Sequence, residues 1–294
     1  MRAVLTLDVG GTGIKLGAFS PAGESLISPA SFPSKSKAGR EELLDNFASI
    51  LRQGAQMAGG AVEDIRMAFP GPFDYARGVS QMQGLDKYDA LYGVSLPQAL
   101  GARLAGDALF SPPLSFRFCN DIHAFALGAM VFAPALRRGR ALYVCLGTGC
   151  GSAFSDAGRM DDDPLAGRCP HGWIYGLPYG DGIVDDALSV RGLRQLAETE
   201  PALPKDGLGL SQAAQAGDAG ARRVFSQFGA RMAEILPPLL EEYGAAHLVL
   251  GGNLTRSFEW FGAPLQRYCD GNGVALQTCF DTSGWAMRGL LALP

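Results

Sequence analysis

The chain has 294 residues, 47% of them hydrophobic and 18% charged, with a net charge of −4. That balance excludes a disordered chain, and the lack of any basic run argues against nucleic acid as a partner. No apolar stretch is long enough to span a bilayer, the six cysteines form no Cys-x-x-Cys pair, and the first strand pattern follows Met1-Arg2 with no room for a signal peptide. A cytoplasmic protein with reduced thiols and no membrane partner is therefore expected. Glycine, at 40 residues, is close to double the usual share of about 7%, so many tight turns are expected.

In chain order, residues 5–9 form a short apolar strand interrupted by Asp8, Gly10, Gly11, Thr12 and Gly13 form a turn, and 14–19 alternate again. Strand, glycine turn and strand make a hairpin whose tip lets backbone N–H groups approach an anion closely. Asp8 beside such a turn repels a phosphate unless a cation lies between them, so the pair points to a metal–nucleotide site. Spacing excludes two other glycine loops. Lys15 is followed by Leu16 and a strand pattern rather than by Ser/Thr and a helix, and no third glycine follows Gly11 and Gly13 at the dinucleotide spacing. Taken alone, the turn is equally compatible with an ordinary hairpin.

Residues 25–31 read as a third antiparallel strand, and 40–57 as an amphipathic helix carrying Leu43, Leu44, Phe47, Ile50 and Leu51. Residues 65–69 are a buried strand running into Pro70-Gly71-Pro72, a rigid loop at a strand end where open α/β sheets place ligands. Residues 74–95 are irregular and polar-aromatic (Asp74, Tyr75, Asp86, Lys87, Tyr88, Tyr92), which suits a loop facing substrate. A helix over 95–104 and a strand over 116–119 follow. Asn120-Asp121 then opens an apolar helix over 122–132, either as a plain N-cap or as a carboxylate placed to accept a proton from a bound hydroxyl.

The opening pattern then returns. Residues 142–146 are a strand, Gly147-Thr148-Gly149 a turn, and 152–154 resume the alternation. A unit that opens each half of the chain indicates duplication, and two such hairpins facing each other would grip a polyphosphate from both sides. Residues 156–182 are loop-rich, and Asp161, Asp162 and Asp163 there read as a solvated turn. Helix is predicted over 185–198, and over 213–243 with a break or kink at Pro237-Pro238. Strand 247–250 leads into Gly251-Gly252-Asn253 and a helix over 258–268, a usual place for a nucleotide's base or ribose to rest on backbone. Strand 274–280 and helix 285–291 close the chain.

Together, Asp8-Val-Gly-Gly-Thr-Gly, Phe69-Pro-Gly-Pro, Asn120-Asp121, Leu146-Gly-Thr-Gly-Cys-Gly and Leu250-Gly-Gly-Asn-Leu resemble, in order and across nearly the whole chain, the successive motifs of the ROK (repressor, open reading frame, kinase) sugar kinases. The resemblance implies an α/β fold of duplicated ribonuclease-H-like (actin-like ATPase) domains with a central cleft, residues 1–118 plus 282–294 forming one domain and 119–281 the other. It implies a glucokinase-like, ATP-dependent kinase acting on a hexose or related sugar. Gly10, Gly11 and Thr12 would be the first phosphate turn, with Asp8 holding Mg²⁺ directly or through water and Lys15 assisting. Gly147, Thr148 and Gly149 would be the second phosphate turn, and Gly251, Gly252 and Asn253 would lie against adenosine. Asn120 would bond a sugar hydroxyl, Asp121 would be the general base, and Pro70 and Gly71 would place backbone near the sugar.

The chain departs from that family where a sugar-binding Glu and a zinc cysteine cluster are usual. Arg168 stands in place of the Glu, His171 keeps its position as a sugar contact, Asp185 stands in for a second sugar-binding Glu, and the cysteines are absent, so no zinc is expected. Two alternatives stay open: a sugar- or nucleotide-binding protein that has lost catalysis, and a kinase with polyphosphate as donor. The repressor branch needs a DNA-binding helix-turn-helix ahead of the first hairpin, and this sequence begins at that hairpin. The apolar helices after Asp185 and around residues 225–240 are candidates for a homodimer interface or for core.

Overall fold

Alternation in the first strand sets the first sheet. Leu5, Leu7 and Val9 face one side and are buried, whereas Asp8 lies on the other side and is partly exposed. The computed structural model describes residues 2–200 and 202–293, which form two units. One unit runs to Phe132 and takes back the chain from Ser283; the other is Ala133–Thr282.

In the first unit, β1 (Arg2–Val9) pairs antiparallel with β2 (Gly13–Phe19), and β2 with β3 (Ala30–Pro33). Helix α1 (Arg40–Ala58) turns its apolar stripe of Leu43, Leu44, Phe47, Ile50 and Leu51 to the sheet and carries Glu41 and Glu42 in its first turn, where the helix dipole favours acids. It leads to β4 (Ala61–Phe69), parallel to β1; α2 (Leu96–Leu104) precedes β5 (Phe110–Asn120), parallel to β4. The sheet order is β3-β2-β1-β4-β5. The third strand lies later than the predicted 25–31: only Ser25 bridges to Phe19, and the Ser25 hydroxyl then bonds Ile27 O, turning the chain out of the ladder until Ala30.

Helix α3 (Asp121–Phe132) starts where β5 ends and stays with the first unit, whereas the sequence reading opens the second domain at 119.

The second unit repeats the scheme. The hairpin β6 (Arg140–Leu146) and β7 (Cys150–Asp156) is extended by β8 (Arg159–Asp161). After α4 (Val184–Ala187), α5 (Val190–Glu198), α6 (Gly207–Gln215) and α7 (Ala219–Tyr243) come β9 (His247–Gly251), α8 (Phe258–Phe261), α9 (Ala263–Asn272) and β10 (Ala275–Thr278). The order β8-β7-β6-β9-β10 has the same sequence of antiparallel and parallel pairings as the first sheet, which is the duplication expected from the two hairpins. The predicted helix over 185–198 is divided at Ser189, whose backbone is extended. In the 213–243 segment the break falls at Gly217, with φ of 95°, and Asp218 caps α7 by accepting the Ala221 N–H at 2.9 Å. Helix α7 runs on through Pro237 and Pro238; burial of its stripe from Val224 to Tyr243 offsets an interior-proline cost of about 3 kcal/mol.

Helix α10 (Thr282–Leu290) returns to the first unit beside α3. A methyl on Gly128 of α3 would overlap the Trp285 carbonyl, and one on Gly289 of α10 would overlap the Ala124 carbonyl, so the two helices meet backbone to backbone. Ala68, Cys119, Ala124, Ala286 and Leu290 form the small core beneath that crossing. Arg66 of β4 donates to the carbonyls of Leu290, Leu291 and Leu293 at 2.9–3.0 Å, satisfying acceptors that a helix end leaves open.

Candidate active site

The end of β1 gives the first turn its shape. Gly10 N donates to Gly13 O at 2.9 Å, and every carbonyl from Gly10 to Thr12 is taken by another group. Tyr88 Oη donates to Gly10 O at 2.8 Å, Ser34 Oγ and Ser36 Oγ donate to Gly11 O at 2.7 and 2.5 Å, and Ser34 N donates to Thr12 O at 3.2 Å. Fixing the carbonyls fixes the peptide planes, so the turn is a preformed donor surface rather than a mobile loop. Gly11 and Thr12 are solvent-exposed. The β1–β2 register sets exposed Lys15 directly opposite Asp8, side chains on one face.

Asn120 and Asp121 occupy the junction of β5 and α3. The Ile122 N–H is accepted by Asn120 Oδ1 at 3.1 Å and by Asp121 Oδ1 at 2.9 Å, so the capping role read from the sequence is present. Asn120 is buried, and its Nδ2 donates to Tyr75 Oη at 2.9 Å, which in turn donates to Phe69 O at 3.1 Å. A Cβ on Gly71 would stand 3.3 Å from the same phenol oxygen, so the loop after Pro70 and the Asn120 amide share Tyr75 as a post. Burial raises the Tyr75 phenol well above its usual value, which keeps it neutral. Asp121 keeps solvent access yet lies deep enough in protein that its carboxyl is pushed up to about 6. Burial is the largest cause and the Asp8 charge the next, while the Ile122 N–H and the Lys87 ammonium pull it down.

In the second unit, Gly147-Thr148-Gly149 is held differently. Gly147 N donates to Gly149 O at 3.0 Å, and Val190 N at the start of α5 donates to Gly147 O at 2.8 Å. Asp185 Oδ1 accepts the Cys150 N–H at 2.6 Å, and its other oxygen is paired with Arg191. Gly251-Gly252-Asn253 follows β9. Gly252, at φ of 89°, lies so close to Leu146 O that any Cβ would overlap it, and its N–H donates to Thr282 Oγ1 at 2.8 Å.

A model of the ROK family matches residues 4–268. The chain belongs to the ROK family. No curated protein matches it. Among solved structures, the chain is similar to a ROK hexokinase from Thermus thermophilus (23% identity, 98% of this chain and 96% of that one, TM-score 0.72). It is similar to a ROK family glucokinase from Streptomyces griseus in complex with glucose and AMPPNP (18% identity, 98% of each chain, TM-score 0.73). It is also similar to a ROK family transcriptional regulator, a homolog of the Escherichia coli MLC protein (14% identity, 99% of this chain and 77% of that one, TM-score 0.79). At these identities the likeness is one of fold, and it places both units of this ROK chain in the duplicated actin-like ATPase class.

The remaining residues singled out in this ROK chain lie on the second unit. Arg168 is paired with Glu242 of α7. His171 is exposed, adopts φ of 59°, gives its backbone N–H to Asp162 O at 2.6 Å and lies tilted against Trp173 with ring centroids 4.9 Å apart. Among the described residues, no group of three or more His, Cys, Asp or Glu is arranged to hold a metal, and none of the helices is long and apolar enough to cross a membrane. Cys119, Cys150, Cys169, Cys269 and Cys279 are buried thiols. Tyr75, Tyr88, Ser34 and Ser36 were not assigned from the sequence. Only the polar-aromatic character of residues 74–95 hinted at the two tyrosines, and nothing local marked the serines.

Proposed function

We propose that this ROK chain is an ATP-dependent sugar kinase of glucokinase-like type, transferring the γ-phosphoryl group to a hydroxyl of a hexose or hexose derivative. Asp121 carries the reading. A carboxylate at a helix start, reachable by solvent and titrating near pH 6, is ionised at neutral pH and still basic enough to take a proton from a hydroxyl. The ATP analogue and glucose in the Streptomyces relative, and the hexokinase from Thermus, support the choice of donor and acceptor.

On this reading Asn120 orients the acceptor hydroxyl with the amide hydrogen and lone pair that Tyr75 and Ile122 leave over. Pro70 and Gly71 offer backbone beside it. The Gly10-Gly11-Thr12 turn supplies fixed N–H donors to the transferring phosphoryl, Gly147-Thr148-Gly149 a second set of phosphate donors, and Gly251-Gly252-Asn253 backbone for the adenosine. Asp8 fits a Mg²⁺ that arrives with the nucleotide. Such an ion takes most of its ligands from phosphate oxygens and water and needs only one or two carboxylates. Bound there, it supplies neutralisation of charge on the phosphate oxygens. Lys15, opposite Asp8, offsets that carboxylate. His171 is assigned to the sugar, and Asp185 to holding the second turn.

Phosphoryl transfer needs position and charge neutralisation more than covalent help, so these groups suffice. The test is a coupled assay of ADP release against hexoses, N-acetylhexosamines and ketoses, with ATP or polyphosphate as donor. Sugar-dependent turnover with ATP is expected. Binding of sugar or nucleotide with no turnover on any combination would establish instead a protein that has lost catalysis.

A further inference from the structure

Two consecutive residues of the loop between Ser80 and Leu91 reach the first glycine turn. Tyr88 is locked there: buried, its Oη on Gly10 O at 2.8 Å, its N–H on Ser36 O at 2.6 Å, its backbone at φ of 57°. The lock fixes the backbone from which its neighbour Lys87 starts. The Lys87 Cδ lies 3.8 Å from the point where a Gly11 Cβ would stand, so its aliphatic stem runs along the face of the turn, and the side chain is only partly exposed. The acidic residues that flank it in sequence are engaged elsewhere, Asp86 with Lys37 and Asp89 with the Leu85 N–H at 3.1 Å. Lys87 instead acts on Asp121, drawing that carboxyl down.

A fixed cation there adds to the neutralisation that an ion at Asp8 would supply. Asp8 and Asp121 both feel each other's charge, and a phosphoryl group arriving on the turn adds more negative charge beside them. Lys15 stands across the ladder from Asp8. Lys87 lies along the turn, and its charge acts on Asp121.

We propose that Lys87 is a catalytic residue of the transfer: its ammonium contacts the phosphoryl group held on Gly10-Gly11-Thr12 as it passes to the hydroxyl activated by Asp121. The proposal rests on the kinase reading above. The P–O bond to the leaving diphosphate breaks, a P–O bond to the sugar oxygen forms, and the hydroxyl proton goes to Asp121. The Lys87 ammonium stabilises charge on the phosphoryl oxygens. The ionisable groups around Asp121 are Asp8 on β1, Lys87 on this loop, Cys119 on β5 and Tyr75 on the loop after β4. Cys119 and Tyr75 are both raised, chiefly by burial and further by the Asp121 charge, and are neutral near pH 6.

The test uses full-length protein with Lys87→Met and Lys87→Arg. With ATP and a responding sugar, Lys87→Met is expected to lower kcat about 100-fold with sugar KM changed less than about three-fold, and Lys87→Arg to restore most of the loss. Independently of turnover, a carbon-13 titration of the Asp121 carboxyl, assigned by its loss in Asp121→Asn, is expected to move to higher pH in Lys87→Met and to move back in Lys87→Arg. Wild-type protein that turns over while Lys87→Met keeps its kcat, or an Asp121 titration that Lys87→Met leaves unmoved, overturns the proposal alone. Wild-type protein without turnover on any sugar and donor overturns the kinase reading and this proposal with it.

Discussion

The two glycine turns occupy the same place in the same five-strand order, yet they are held by different chemistry. Behind Gly10-Gly11-Thr12 stand three neutral hydroxyls, from Tyr88, Ser34 and Ser36, each on a turn carbonyl. Behind Gly147-Thr148-Gly149 stand a backbone amide, Val190 N, and a carboxylate, Asp185, whose charge Arg191 offsets. Hydroxyls fix a turn without adding charge, whereas a carboxylate fixes it more strongly and burdens it with a negative field. Duplication has kept the sheet and the turn but not the backing. On the kinase reading proposed above, the first turn, with Asp8, Lys87 and Asp121 nearby, is the reacting one, and the second is an anchor.

The largest expected effect tests whether the first turn is the reacting one. Asp121→Asn should preserve fold and nucleotide binding and lower kcat by about 10²- to 10⁴-fold. In the wild type, kcat/KM should fall as pH drops through about 6, because the base must be ionised and its carboxyl is raised to about 6 by burial and by Asp8. An acid limb that persists in the residual activity of Asp121→Asn would assign the titration to another group.

The next effect is smaller and concerns the hydroxyl backing. Tyr88→Phe combined with Ser36→Ala removes two of the three hydroxyl bonds and loosens the peptide planes. At about 1 kcal/mol per bond, nucleotide KM should rise about ten-fold or more while sugar KM holds. Equal rises in both constants would show that the hydroxyls support the whole unit rather than the turn.

These backing groups mark the limit of what the sequence discloses. The glycine turns, the β1–β2 and β6–β7 hairpins, and Asn120-Asp121 are legible because each is a local pattern of a few residues whose conformational meaning is fixed by glycine, by alternation or by capping. Ser34, Ser36 and Tyr88 reach the first turn across 23, 25 and 78 residues, and no periodicity announces such a contact. The same holds for Asp185, whose spacing fits a sugar contact as well as a latch, and for the close crossing of α3 and α10, where Gly128 and Gly289 read as ordinary helix-weakening glycines. Pro237-Pro238 misled in the opposite direction. Local rules demand a break or a kink there, whereas the buried stripe of α7 carries the helix through the pair, and Gly217 with Asp218 makes the break.

The smallest effect separates a latch from a sugar ligand at the second turn. Asp185→Asn keeps an oxygen to accept the Cys150 N–H, now 2.6 Å from the carboxylate, but discards the charge and releases Arg191 beside the turn. A latch whose work is geometric should then survive, with nucleotide KM unchanged or slightly lower because a cation has been gained next to phosphate donors. Asp185→Ala removes the acceptor as well, leaves the Cys150 N–H unpaired, and should raise nucleotide KM by about three- to ten-fold with sugar KM steady. If Asp185 instead bonds the sugar, both variants raise sugar KM and leave nucleotide KM alone. The Asn and Ala variants therefore diverge on nucleotide under one assignment and agree on sugar under the other, and a sugar titration beside an ATP titration distinguishes them.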